Sequence, residues 1–230
     1  MNSSDFRAYK NAIRSAIRAA LTEAEPGALD EAAFPAYSHR NPLINWLFWQ
    51  RLRVVMKFIE ARAPFDHALD FGCGSGVMLP FLARHSKRVL GLDVDLLAYQ
   101  TMSRRMDFPT NIEVRDANQS PLASLPAASF DLITALDVLE HVDDLPSTLR
   151  DLFHLLKPGG WLVISGPTEN VFYKIGRKLA GPEYSGAYHE RGIPEVRDAL
   201  GQLTQVVTIA RLYPPVTLFD IFAARRNPVS

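Results

Sequence analysis

Residues 68–77 read ALDFGCGSGV, and the reading of this stretch decides the fold. Ala68, Leu69 and Phe71 supply a short apolar run. Gly72, Gly74 and Gly76 follow at alternate positions, where a backbone without Cβ atoms can turn tightly and approach a ligand closely. Residues 77–83 then read as helix. A strand, a glycine turn and a helix N-terminus in succession form a ligand site at the edge of a parallel sheet.

The glycine spacing narrows the ligand. Dinucleotide sites commonly space their glycines G-x-G-x-x-G and seat a pyrophosphate on amide donors. Here the spacing is G-x-G-x-G, and Asp70 stands two residues before the first glycine, where its charge opposes a pyrophosphate but attracts an ammonium or sulfonium group. Asp93 ends the next apolar strand about 20 residues further on, the distance usual for an acid that hydrogen-bonds ribose hydroxyls. The ligand expected is a ribose-bearing cation.

Outward from this motif, apolar periodicity gives strands at 67–71, 88–93, 111–115, 130–136 and 160–165, and helices at 76–85, 95–106 and 145–156. That alternation predicts a parallel sheet covered on both faces. A mixed segment, 167–200, leads to strands at 203–211 and 216–224, and the Tyr213-Pro214-Pro215 turn between them suits a closing antiparallel hairpin.

Composition sets the class. The chain has 230 residues, 47% hydrophobic content and zero formal net charge, which fits one globular domain plus an extension and lacks the basic excess of a nucleic-acid binder. Cys73 is the only cysteine, so neither a disulfide framework nor a cysteine-based zinc site is expected, and no metal is. Without a signal-like apolar region or a membrane span, the expected location is cytoplasmic.

The extension, residues 1–62, precedes a main domain at 63–230. Phe6, Tyr9, Ile13, Ile17 and Leu21 recur at helical spacing, with Arg7, Lys10, Arg14 and Arg18 on another face. A second helix, LINWLFWQRLRVVMKFIE, carries Trp46, Phe48 and Trp49 beside Arg51, Arg53 and Lys57. Two readings stand open: helices packed on the main domain as a lid, or a peripheral contact with a membrane.

The run Asp70-Phe-Gly72-Cys-Gly74-Ser-Gly76 resembles motif I of the class I S-adenosylmethionine-dependent methyltransferases, and the likeness continues through GLDVD (91–95), VRDANQSPL (114–122), FDLITALDVLEHVDD (130–144) and LLKPGGWLVIS (155–165). It covers roughly the last 165 residues, the span of one ordinary domain. The resemblance implies a Rossmann-like α/β fold, with a mostly parallel seven-stranded sheet, an antiparallel C-terminal strand and helices on both faces. It implies S-adenosylmethionine as cofactor and methyl transfer to an oxygen, nitrogen or carbon of a small-molecule or lipid-like acceptor.

Residue by residue, the resemblance places Asp70, Gly72, Cys73, Gly74, Gly76, Asp93 and Val94 around the cofactor, Asp116 and Ala117 at its adenine, and Leu136 with Asp137 beside its methionine portion. Asp107, Glu113, Asp116, Asp131, Asp137, Glu140, Asp143 and Asp144 face a single basic residue, Arg115, in that part of the chain, which favours a cationic ligand or is merely solvated surface. Cys73 reads as a packing residue, since nothing nearby in sequence lowers its pKa.

Glu140-His141-Val142 is similar to the ubiquinone-biosynthesis O-methyltransferases. His141 is a general base for an acceptor hydroxyl or a structural histidine, and both readings stay open. Tyr188 and His189 form a second candidate pair, in an aromatic segment with Phe172, Tyr173 and Tyr184 beside Lys174, Arg177 and Lys178. Two rival classes share these features: a nicotinamide-dependent oxidoreductase, which Asp70 and the glycine spacing oppose, and a protein that binds the cofactor without catalysis.

Overall fold

Strand β1 (Phe65–Phe71) sends Ala68 to one face of the sheet and Leu69 to the other, and both are fully buried. A strand covered on both sides has no reason to alternate apolar with polar residues. The computed structural model describes residues 2–23, 37, 41–168, 192–214 and 217–227. Around β1 lie β2 (Ser86–Asp93), β3 (Ile112–Asp116), β4 (Phe130–Leu136), β5 (Leu156–Pro167), β6 (Val206–Leu212) and β7 (Phe219–Arg225). They form one seven-stranded sheet in the order β3-β2-β1-β4-β5-β7-β6.

The first five strands pair in parallel, and β7 pairs antiparallel with both β5 and β6. The expected fold and its closing hairpin are therefore present. Because the sequence order reverses between β1 and β4, the C-terminal ends of β1, β2 and β4 open a crevice, the usual position of ligands in such sheets.

One face is covered by α1 (Ser3–Glu23), α2 (Pro42–Glu60), α3 (Leu79–His85) and α4 (Leu97–Ser103), whose apolar residues share a core with Ala68, Val89 and Val163. The other is covered by α5 (Leu145–Leu155) and α6 (Ile193–Leu203), packed on Leu69, Ile133 and Ile164. The Asn41 side chain accepts from the Leu43 amide and Pro42 opens α2, while Asp144 accepts from the Ser147 amide at the start of α5.

Three expectations need correcting. Trp49, which the membrane reading would leave exposed, is fully buried: it packs edge-on against Phe6 and Tyr37, and its indole donates to the Tyr37 carbonyl at 3.1 Å. Arg51, whose charge the lid reading would leave in solvent with those of Arg53 and Lys57, is also fully buried. Residues 200–203, read as the end of a mixed segment and the start of a strand, belong to α6, because Ile193, Val196 and Leu200 repeat at helical spacing and are buried. Among the described residues, no helix is long and apolar enough to cross a membrane.

Candidate active site

The glycine loop leaves β1 in a conformation that only glycine adopts freely. Gly72, Gly74 and Gly76 have φ of 73°, 51° and 77°, all in the left-handed region. A Cβ on Gly72 would lie 2.4 Å from Val138 Cγ2, so that position excludes any side chain on contact as well as on backbone grounds. The Gly72 and Cys73 amides both donate to the Leu92 carbonyl, at 2.8 and 3.1 Å, and the Gly74 amide donates to the Asp93 carboxylate at 2.6 Å. Asp93 is thus already drawn to the loop it was expected to serve with.

Asp70 is buried beneath the loop, with the Thr134 hydroxyl donating to its Oδ1 at 2.6 Å. Burial pushes its carboxyl up to about 7; the Thr134 hydrogen bond opposes this and nearby Asp93 adds to it. Cys73 is buried, and its sulfur would stand 3.1 Å from a Cβ at Gly91, so it packs between strands; burial, with Asp70 and Asp93 nearby, pushes its thiol well up. A buried, protonated thiol is a poor nucleophile, in agreement with the packing role.

Next to the loop, Asp93 and Asp116 are paired across β2 and β3, and the Ala117 amide donates to the Asp93 carbonyl at 2.8 Å. Val94, Gln100, Asp116 and Gln119 are among the residues around an open cavity of about 580 Å³ at this edge. Asp116 also accepts from the Asn118 amide at 2.8 Å and from its side chain at 2.9 Å, which fixes the turn after β3.

On the other side, Leu136 ends β4 half-buried, and Asp137 follows with a φ of 56° and its amide donating to the Ser165 carbonyl at 2.9 Å. Its carboxylate pairs with the buried Arg51 guanidinium, which also donates to the Tyr37 hydroxyl at 2.7 Å and lies beside the rings of Phe48 and Phe219, themselves in edge contact. His141 is exposed on the short turn Leu139–His141 that follows, at the same edge. Tyr188, His189 and the aromatic and basic residues expected with them lie outside the described residues.

The structure therefore brings Asp70, Gly72, Cys73, Gly74, Gly76, Asp93, Val94, Asp116, Ala117, Leu136, Asp137 and His141 to one edge of the sheet. Sequence reasoning missed Arg51, Tyr37, Thr134, Val138 and Tyr9, whose hydroxyl donates to the Val77 carbonyl just past the loop. One signal was present: Arg51 stands three residues after Phe48 and four before Val55, at the margin of the apolar stripe of its helix.

A cradle without Cβ atoms, with Asp70, Asp93, Asp116 and Asp137 around it, fits a cation that carries a ribose, so the residues suit S-adenosylmethionine. Among the described residues, no cluster of three or more His, Cys, Asp or Glu side chains could hold a metal ion.

A family model described as a methyltransferase domain matches residues 46–218. A ubiquinone biosynthesis O-methyltransferase of Pseudomonas fluorescens (strain Pf0-1) is 30% identical over 192 residues, which is 74% of this chain and 78% of that protein. The protein of the same name from Paracidovorax citrulli is 34% identical over 143 residues, covering 60% of this chain and 59% of that protein's length. Among solved structures, the N-methyltransferase NodS from Bradyrhizobium japonicum with S-adenosyl-L-homocysteine has a TM-score of 0.60 at 20% identity, over 94% of this chain and 98% of that one. The [4+2]-cyclase SpnF has a TM-score of 0.56 at 16% identity, over 79% and 83% of the two chains. These structural likenesses speak to the fold.

Proposed function

The chain belongs to the class I S-adenosylmethionine-dependent methyltransferases, in the methyltransferase-domain family, and on that premise we propose that it methylates a hydroxyl oxygen of a small, largely apolar acceptor, with His141 as the base. The observation that carries this reading is the position of His141: exposed, at the catalytic edge, on the turn that begins next to Asp137. The relatives named as O-methyltransferases support oxygen over nitrogen or carbon.

Bound S-adenosylmethionine supplies an electrophilic methyl carbon on a sulfonium centre. The protein's part is placement, since holding two reactants aligned replaces a bimolecular encounter and lowers the barrier by up to about 7–11 kcal/mol. In this reading the Gly72–Gly76 loop lets the backbone approach the cofactor, Asp93 accepts from its ribose hydroxyls, and Asp116 accepts from its adenine amino group, with Ala117 beside it but its amide held by the Asp93 carbonyl. Asp70 supplies negative charge from below the loop, and Leu136 and Asp137 flank the methionine portion. The His141 imidazole takes the proton that the acceptor hydroxyl loses, and Tyr188 and His189 remain candidates for the acceptor's other side. Helices α1 and α2 of the extension close one side of the cofactor edge, through Arg51 on Asp137 and Tyr9 on Val77.

Turnover of His141→Gln on a panel of phenols and alcohols tests the assignment. The expected loss is about 10²- to 10⁴-fold in kcat, with S-adenosylmethionine affinity unchanged. Turnover within about twofold of wild type overturns it, because so small a loss lies below the range of a general base.

A further inference from the structure

The apolar stripe of α1 is not available to any partner. Phe6, Tyr9, Ile13, Ala16, Ile17 and Ala20 are all buried against the body of the protein. What the helix offers outward is charge: Arg7, Lys10, Arg14 and Arg18, with no acid between Phe6 and Leu21. Arg53 stacks on Phe6 and Arg84 on Tyr9, which extends this basic surface to both sides of the helix. Among the described residues no ion pair involves Arg7, Lys10, Arg14 or Arg18. Burial, and then the neighbouring like charge, lowers the pKa of both Lys10 and Arg14, as expected where cations crowd without counter-charge.

A second observation is independent of the first. The exposed large apolar side chains are not scattered. Val94 and Leu97 follow the C-terminal end of β2, and Leu43 and Trp46 occupy the first turns of α2, above the point where Arg51 reaches Asp137 at the end of β4. The helices run antiparallel, since Arg53 bonds Ser3 and Lys10 lies over Trp49, so the α1 terminus with exposed Leu21 points to the same edge. Leu43 is 61% and Val94 68% exposed. Among the described residues, five of the seven, all but Leu203 and Val207, thus rim the mouth of the site.

We propose that this shoulder of the site, basic along α1 and apolar at the rim, docks on an anionic lipid surface, so that the mouth opens toward the acyl region that holds the acceptor. The proposal rests on the apolar acceptor proposed above and names its source. With zero net charge, the attraction has to be local. Asp143 and Asp144, beyond the end of β4 at this edge, keep the far side of the mouth away from a negative surface and so orient the contact.

The test is flotation of the full chain with vesicles of phosphatidylcholine alone or with about one-third phosphatidylglycerol, at low and high salt. Each basic residue near such a surface contributes about fivefold in partitioning. The intact protein should float with anionic vesicles only, and should detach as salt shortens the screening length to a few ångströms. Arg7→Glu/Arg14→Glu/Arg18→Glu should lose more than 100-fold, Arg7→Gln/Arg14→Gln/Arg18→Gln about 100-fold, and Leu43→Glu should also weaken binding, all with S-adenosylmethionine affinity retained as proof of folding. Failure of the intact protein to bind anionic vesicles at low salt overturns the proposal, as does flotation of the triple variants at wild-type level. Methylation of a water-soluble hydroxyl acceptor is measured separately: its presence without vesicle binding sinks the docking surface and leaves the proposed function standing, and its absence with vesicle binding does the reverse.

Discussion

Asp70→Asn removes a buried charge without changing shape, and its effect on stability has a definite sign. In the cofactor-free protein the Asp70 carboxyl is pushed up from 3.8 to about 7, chiefly by burial. Between those values the folded state binds a proton that the unfolded state has released. Stability therefore falls as pH rises from about 4 to about 7, by roughly 1.4 kcal/mol per unit and about 4 kcal/mol in all, and is level above that range. Asparagine keeps the acceptor for the Thr134 hydroxyl, 2.6 Å away, and has no proton to lose. Urea unfolding of wild type and variant without cofactor, from pH 5 to pH 8, should show the variant gaining about 2–3 kcal/mol relative to wild type between pH 5 and pH 7. The cofactor's charge reverses the balance: wild-type affinity for S-adenosylmethionine should rise over the same interval while the variant stays flat and weaker. Unfolding profiles that run parallel to within about 0.5 kcal/mol would refute the reasoning, because the carboxyl would then titrate alike in both states.

Asp93→Ala should weaken S-adenosylmethionine binding by about 1–3 kcal/mol in calorimetry, through loss of the ribose acceptor and of the partner for the Gly74 amide, with the circular dichroism spectrum intact. Gly72→Ala should cost several-fold in affinity and about 1–3 kcal/mol in stability, since its Cβ meets Val138 at 2.4 Å and its φ of 73° is strained for alanine; wild-type behaviour in both assays would contradict the loop geometry. Arg51→Met should lose about 2–4 kcal/mol of stability by leaving Asp137 without its partner, and Arg51→Met/Asp137→Asn should recover part of it; a double variant less stable than the sum of the singles would show that the pair is not what couples them.

Most of the sheet was legible because its signals are local. The β1–loop–α3 unit follows from an apolar run and three glycines, and β4 (Phe130–Leu136) was bounded correctly from its own periodicity. The placement of the candidate cofactor residues was legible for the same reason: they sit in or just after strands that their own neighbours specify. Arg51 was not legible, since an arginine among aromatics in a helix reads as solvated unless the counter-charge is known, and Asp137 stands 86 residues away in sequence. Trp49 failed in the same way, because its partners Phe6 and Tyr37 belong to other segments. What the chain does not encode locally is which helices cover which face.

The surroundings of Arg51 also bear on how the chain is made. During synthesis α1 and α2 leave the ribosome before every strand of the sheet, carrying a guanidinium whose counter-charge, Asp137, comes later and whose covering ring, Phe219, comes later still. A charge cannot be withdrawn from water before its partner exists. These two helices are thus translated before the sheet they pack on and settle only after it, and contacts of such long sequence separation slow folding. A ribosome stalled before residue 219 has been made would present these helices unpacked, with Trp49 and Arg51 open to chaperones and proteases.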